Sequence, residues 1–270
     1  MVDGLKVRAV LALLCLVKGC AENSLPSEDL AAPPRDARPE IQLDYPSVEG
    51  LAFDVAGPYV VYAGLTRLIT PASPDLGEML PRVHITVFDM AQAKVVETES
   101  SDEGVFAFAV PLPNGPFDGY IELAKEGYPT VRQFDRPFSD HWTNMRLRML
   151  DQNLFSLPRN ILGQAPDRGY IQGSVYDRNT EAPIRDVTVE ASAGEVAYLQ
   201  DGIPVPSKDL KATKSLGVFF VANCPPGPVT IRASVGGRPV AQRTVLTWGT
   251  EVLTQVGIPI EGLDQGPIAR

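Results

Sequence analysis

Histidine is the scarcest reactive residue in this chain: His84 and His141 are the only two in 270 residues. A catalytic zinc needs several His and carboxylate ligands around an open position, and a Ser-His-Asp triad needs a histidine of its own. His84 is followed by Ile-Thr-Val and His141 by Trp-Thr-Asn, so neither opens a His-x-x-Glu pair. The expectation is a non-enzyme with no catalytic residues, no metal and no cofactor. Cysteine is scarce too. Cys15, Cys20 and Cys224 show no Cys-x-x-Cys spacing, and no internal disulfide follows from them. Basic residues (24) are outnumbered by acidic ones (33), leaving a net charge of -9 and no basic footprint for nucleic acid. Stretches of 3.6-residue periodicity are short, which argues against a helical protein. The apolar run Ala9–Val17 holds nine residues, where a bilayer-spanning helix needs about 20.

What the chain has instead is turns. Its 25 prolines and 23 glycines are scattered between short apolar runs, the signature of many short strands. Two stretches echo each other. Pro81–Asp89 alternates, with Val83, Ile85 and Val87 on one face. Pro183–Ala191 aligns Val187, Val189 and Ala191 with them. Ser101–Phe108 and Lys214–Val221 each pass a turn at Gly104 or Gly217 and enter a strand that begins Val-Phe. A proline turn then follows in each case, Pro111–Gly115 or Pro225–Pro228, and a new alternating strand, Gly119–Leu123 or Val229–Ala233. Gly169–Asp177 opens the second repeat. In the first, both Leu51–Val55 and Tyr59–Gly64 qualify as the opening strand. Val196–Leu199 and Ile203–Val205 read as a hairpin turned at Asp201-Gly202.

The N-terminus carries a different pattern. Lys6 and Arg8 precede the nine-residue apolar run, and Val17-Lys18-Gly19-Cys20 follows it. This resembles a bacterial lipoprotein signal, in which an aliphatic residue and two small ones precede the lipidated cysteine; Lys18 stands where the pattern has a small uncharged residue. The resemblance implies processing before Cys20, lipid attachment there, and a membrane-anchored exported protein of a Gram-negative outer membrane or periplasm. Residues 21–46 hold five prolines and few periodic apolar residues, and read as a disordered tether.

The repeats resemble the carboxypeptidase regulatory-like domain family, a transthyretin-like sandwich. Gly173-Ser174-Val175-Tyr176-Asp177 fits its opening and Pro183–Val189 its second element. Thr213–Phe219 fits its Thr-x-x-x-Gly-x-Phe, and Pro225-Pro226-Gly227 its proline turn. The first repeat matches from Pro81 to about Tyr128. The expected layout is all-β, two tandem antiparallel β-sandwich modules: a signal peptide over 1–19, a tether over 20–46, a β-sandwich module over 47–150, a connector over 151–168, a second module over 169–262 and a tail over 263–270. The resemblance describes turns and not chemistry, so it implies a structural or interaction role with an envelope protein as partner. Trp142 and Trp248 are the candidate contacts for the alternative, a polysaccharide-binding surface of exposed aromatics. Asp102-Glu103 and Asp118 lack calcium-loop spacing and read as turn residues.

Overall fold

Short apolar runs between turn residues give sixteen strands and one helix among the described residues. The computed structural model describes residues 53–201, 205–249 and 251–261. Cys20 and the residues expected to form a signal peptide, a tether and a tail lie outside them. The strands are β1 (Tyr59–Thr70), β2 (Ser73–Met79), β3 (His84–Asp89), β4 (Lys94–Glu99), β5 (Val105–Pro111), β6 (Gly119–Ala124), β7 (Thr130–Phe134) and β8 (Trp142–Leu150). After helix α1 (Gln152–Leu162) come β9 (Gly169–Asp177), β10 (Val187–Ala191), β11 (Glu195–Leu199), β12 (Pro206–Ser207), β13 (Val218–Cys224), β14 (Gly227–Val235), β15 (Arg238–Thr247) and β16 (Val252–Ile260).

The strands form three sheets, and the largest crosses both repeats. Its order is β12-β11-β13-β9-β16-β7-β6-β3-β4. Successive side chains on a strand point to opposite faces, and here each face buries a core. Ile85, Val87, Ile121, Leu123, Val131, Tyr170, Phe220 and Leu253 join one cluster. That cluster is closed by Tyr62, Phe106, Phe108, Met145 and Leu147 of the β1, β2, β5, β8 sheet and by Phe155 and Leu162 of α1. The opposite face turns Tyr120, Phe134, Ile171, Phe219, Val256 and Ile258 toward Val187, Val189, Val229, Ile231 and Val245 of the β10-β14-β15 sheet. The result is two sandwiches that share one sheet and close on its opposite faces. Each fully buried Phe, Leu or Ile contributes about 1.5–3 kcal/mol.

The sequence echo is repeated bond for bond at one corner. Val83 N–H donates to Ser100 Oγ at 3.0 Å, and Val187 N–H donates to Thr213 Oγ1 at 3.0 Å. Leu80 N–H reaches Thr66 O at 3.0 Å, as Ile184 N–H reaches Val175 O at 2.9 Å. Thr66 and Val175 in turn donate to the carbonyls of Gly104 and Gly217. Both glycines sit at positive φ, 72° and 64°, where a side chain is strained. Even the strained non-glycines correspond: Arg82 has φ 52° and Asp186 has φ 59°. The strand register agrees, since β6 pairs Ile121 with Gln133 as β14 pairs Ile231 with Arg243.

Four features depart from the sequence reading or complete it. The connector holds α1, capped by Asp151, whose carboxylate accepts from Leu154 N–H at 2.7 Å, and ended by Gly163 in the left-handed region. Pro158 inside it removes one helical hydrogen bond and disguises the helix. Second, β1 is the long opening strand of the first repeat, and Phe53–Val55 is not in a strand. Third, β11 pairs with Pro206–Ser207 and Gln200 N–H donates to Val205 O at 3.2 Å, while Gly202, Ile203 and Pro204 of the expected hairpin lie outside the described residues; Asp201 accepts from Ser215 N–H at 2.9 Å. Fourth, three pairings are parallel among antiparallel ones: β1 with β8, β9 with β16, and β16 with β7. Alternation reports burial and carries no information on strand direction.

Candidate functional site

The strand β7 ends in a dense polar stretch, Arg132-Gln133-Phe134-Asp135-Arg136. Because β7 lies beside β16, this stretch stands where the two sandwiches meet. A Cβ built on Gly257 of β16 would come within 3.0 Å of Asp135 Oδ1 and 3.1 Å of the Tyr176 ring, so glycine is what lets these groups close over the strand. Gln133 Nε2 donates to Asp135 Oδ2, and an Arg243 N–H of β15 donates to the Asp135 carbonyl. Burial pushes the Asp135 carboxyl above the usual range, against the opposing effects of the Gln133 hydrogen bond and of Arg243, Arg148 and Arg136. Burial likewise lowers the Arg243 guanidinium.

A raised carboxyl pKa fixes the sign of a pH effect. The folded state binds the proton more tightly than the unfolded one. Asp135 therefore favours the fold most at low pH, and that contribution fades as pH rises from about 4 through the raised value. Asp102, Asp177 and Asp201 are lowered by their hydrogen-bond partners and act with the opposite sign. Asp135→Asn removes the first effect alone. Melting temperatures of parent and variant between pH 4 and 7 are expected to diverge steadily, with the variant relatively more stable toward pH 7. A constant difference across the range overturns the assignment.

Beside this junction is a cleft of about 450 Å³. Met90, Phe134, Pro137 and Ile258 give it apolar walls, Asp118 and Arg243 give it charge, and Ala241–Thr244 of β15 run along one side. A second hollow, of about 570 Å³, lies by Phe53, Tyr59, Val61 and His141.

The two candidate tryptophans are half-buried and are not brought together. Trp142 packs on the first cluster, with Tyr62 at 6.3 Å and the Arg136 guanidinium 4.0 Å above its ring. Trp248 packs on the second, with Tyr120 at 5.3 Å and Arg132 at 3.7 Å. One face of each ring is thus covered by a cation, and the rings lie on opposite sides of the shared sheet. Arg132 is held in place by Glu122 at 2.5 Å.

The remaining candidates have local roles. His84 is exposed, 4.0 Å from Glu97. His141 accepts from Val61 N–H at Nδ1, 2.8 Å away, and so anchors the start of β1. Cys224 is fully buried, which pushes its thiol up to about 12 and leaves it inert at neutral pH. Asp102 makes a two-pronged pair with Arg82, at 2.6 and 2.9 Å. Among the described residues no cluster of three metal-ligating side chains occurs, and no helix is long and apolar enough to cross a membrane. The junction residues Asp135, Arg136 and Arg243 were not singled out in the sequence. The signal that could have found them is the charge density of residues 132–136 inside an otherwise strand-like stretch.

No protein-family model and no curated protein matches the chain. Solved structures give distant likenesses. The Bacillus anthracis TIE protein is 14% identical over 74% of this chain and 34% of that one, with a TM-score of 0.23. The chain thus spans about a third of that protein's length. The shaft pilin SpaA from Lactobacillus rhamnosus GG is 10% identical over 76% of this chain and 98% of that one, with a TM-score of 0.24. A Streptococcal ancillary pilin is 14% identical over 75% and 62%, with a TM-score of 0.23. Likenesses of this degree leave function to be argued from the chain's own residues.

Proposed function

We infer that this is a non-catalytic protein of the bacterial cell envelope, anchored by a lipid on Cys20, whose two transthyretin-like repeats act as one structural and protein-interaction unit. The observation that carries the interaction half is the shared nine-stranded sheet. It holds the two repeats at a fixed angle and leaves a lined cleft at their junction. The anchoring half rests on the basic start, the apolar run and Val17–Cys20. Lipoproteins carry more than one acyl chain, which makes attachment stable where a single chain gives only marginal binding. The polysaccharide alternative draws no support from Trp142 and Trp248, whose rings are separated and each capped by arginine.

The anchor is tested by growing a Gram-negative host that expresses the chain on labelled palmitate. The parent is expected to take up label and partition into detergent. Cys20→Ser is expected to lose the label and appear in the aqueous fraction. Unlabelled parent, or label retained by the variant, removes lipid attachment at Cys20 from the reading.

A further inference from the structure

The junction between the repeats is made by strand pairing, and among the described residues no strand fills the equivalent position on the second repeat. In the first repeat β7 follows β6, and its outer edge takes β16 in parallel, Thr130 to Phe134 against Val252 to Val256. In the second repeat β15 follows β14 in the same register and closes the order β10-β14-β15, with no strand beyond it among the described residues. Except at Leu246, whose carbonyl accepts from Thr254 Oγ1 at 3.0 Å, its backbone therefore presents groups that a further strand can pair with. The cleft of about 450 Å³ runs along the same stretch, Ala241–Thr244, and offers Met90, Phe134 and Ile258 to apolar side chains.

Four other edges are blunted or taken, that of β10 by Tyr198 Oη, bonded to Val189 N–H at 2.8 Å, and by Thr213, bonded to Val187. β4 carries Lys94, Glu97 and Glu99, tied into ion pairs with each other and with Arg82, and charge is a common protection of a sheet edge. β12 is two residues long. β8 passes directly into α1, which packs on the same core cluster. That connection also argues against a second copy as the occupant, because β8 is the counterpart of β16 and the natural donor in such a contact.

We propose that the β15 edge and its cleft bind an extended peptide segment of a partner protein, which adds to the sheet as a strand parallel to β15 and sets alternate apolar side chains into the cleft. Main-chain pairing supplies affinity in this mode, and the pocket supplies selectivity. The Arg243 side chain, bonded to the Asp135 carbonyl, closes one end of the site and ties an arriving strand to the repeat junction. The proposal rests on the reading of the folded part as an interaction unit. It is independent of Cys20, so failure here and failure of the anchor are told apart by separate measurements.

The test uses phage-displayed random dodecapeptides panned on the full chain, with hydrogen exchange to place the enriched peptides. Enriched sequences are expected to alternate apolar residues and to slow exchange at every second amide between residues 240 and 244 at least tenfold. Gln242→Pro and Arg243→Pro then separate the two edges of β15, since adjacent amides point to opposite sides. Thr230 N–H and O bond Ser192 on the β10 side, so Ile231 faces its partner Arg243 and Arg243→Pro breaks the ladder to β14. Gln242→Pro removes an outward donor and the exposed hydrogen bond from Arg232 to the Gln242 side chain, keeps the fold, and is expected to weaken binding at least tenfold, whereas Gln242→Ala, which loses the side-chain bond alone, is expected to bind as the parent does. No enrichment, protection elsewhere on the surface, or full binding by the folded proline variant overturns the proposal. Protection of the same amides by concentration alone, with no peptide present, makes the occupant a second copy and also overturns it.

Discussion

Replacing Gly64 by alanine is expected to cost about 3–5 kcal/mol, or to prevent folding outright. Gly64 lies in β1 at a shift in the register with β8, opposite Met145. A Cβ there would stand 1.9 Å from the Met145 carbonyl oxygen and 2.7 Å from its carbon. Those atoms are backbone in a parallel ladder, so they cannot swing aside as the end of a side chain can. Met145 and Leu147 on the same strand are buried, with 1% and 0% exposure, and any shift of β8 therefore disturbs the first core. Overpacking of this kind exceeds the usual cost of about 1–3 kcal/mol when the obstacle is rigid. For a folded unit of this size, each kcal/mol lowers the midpoint by about 2–4 °C, which predicts a fall of about 6–20 °C. Thermal unfolding followed by circular dichroism reads this directly, and a midpoint within about 2 °C of the parent contradicts the packing argument. Gly64 is not at positive φ, so the effect is one of space and not of backbone freedom.

The same glycine shows what a sequence can and cannot disclose. Gly64 sits in Tyr59–Gly64, a stretch that alternation marks as a possible strand, yet the need for a glycine there depends on Met145, 81 positions away. Local rules did well wherever the cause was local. The turns at Gly104 and Gly217, the paired strands around Val83 and Val187, and the all-β class follow from spacing and turn chemistry alone. The helix α1 was hidden because Pro158, Gly163 and Pro166 read as loop, although Asp151 and Gly163 are ordinary caps. The pairing of β16 with β7 was not legible, because its apolar alternation fits any buried strand and says nothing of the neighbour on either side. The candidate site followed the same division. Trp142 and Trp248 stood out as residue types, but their half-burial and their arginine caps come from contacts across the sheet. Asp135 looked like one acid among 33 until Gly257 and Arg243 were placed against it.

Removing β16 is expected to unfold the chain as a whole and not only its second repeat. A chain ending at Gly249 loses Leu253, which is fully buried in the first core cluster, and Val256, Ile258 and Ile260, which belong to the second. At about 1.5–3 kcal/mol for each fully buried aliphatic side chain, these four together exceed the lower end of the usual range of domain stability, about 5 kcal/mol. The loss also uncovers two strand edges at once, that of β9 and that of β7, each with a row of unpaired backbone groups. Two independent sandwiches joined by a tether would behave otherwise, because the first would keep its own melting transition. Calorimetry distinguishes the cases. The intact chain is expected to show a single transition whose calorimetric and van't Hoff enthalpies agree, and the shortened chain is expected to show none, or to aggregate. A surviving transition in the shortened chain, with an enthalpy near half that of the parent, would mean that the first repeat stands alone and that the shared sheet is a contact of two finished domains. The buried position of Leu253 between Tyr170 of β9 and Val131 of β7 argues for the former. One side chain is needed by both repeats, so neither has a complete core without the strand that carries it.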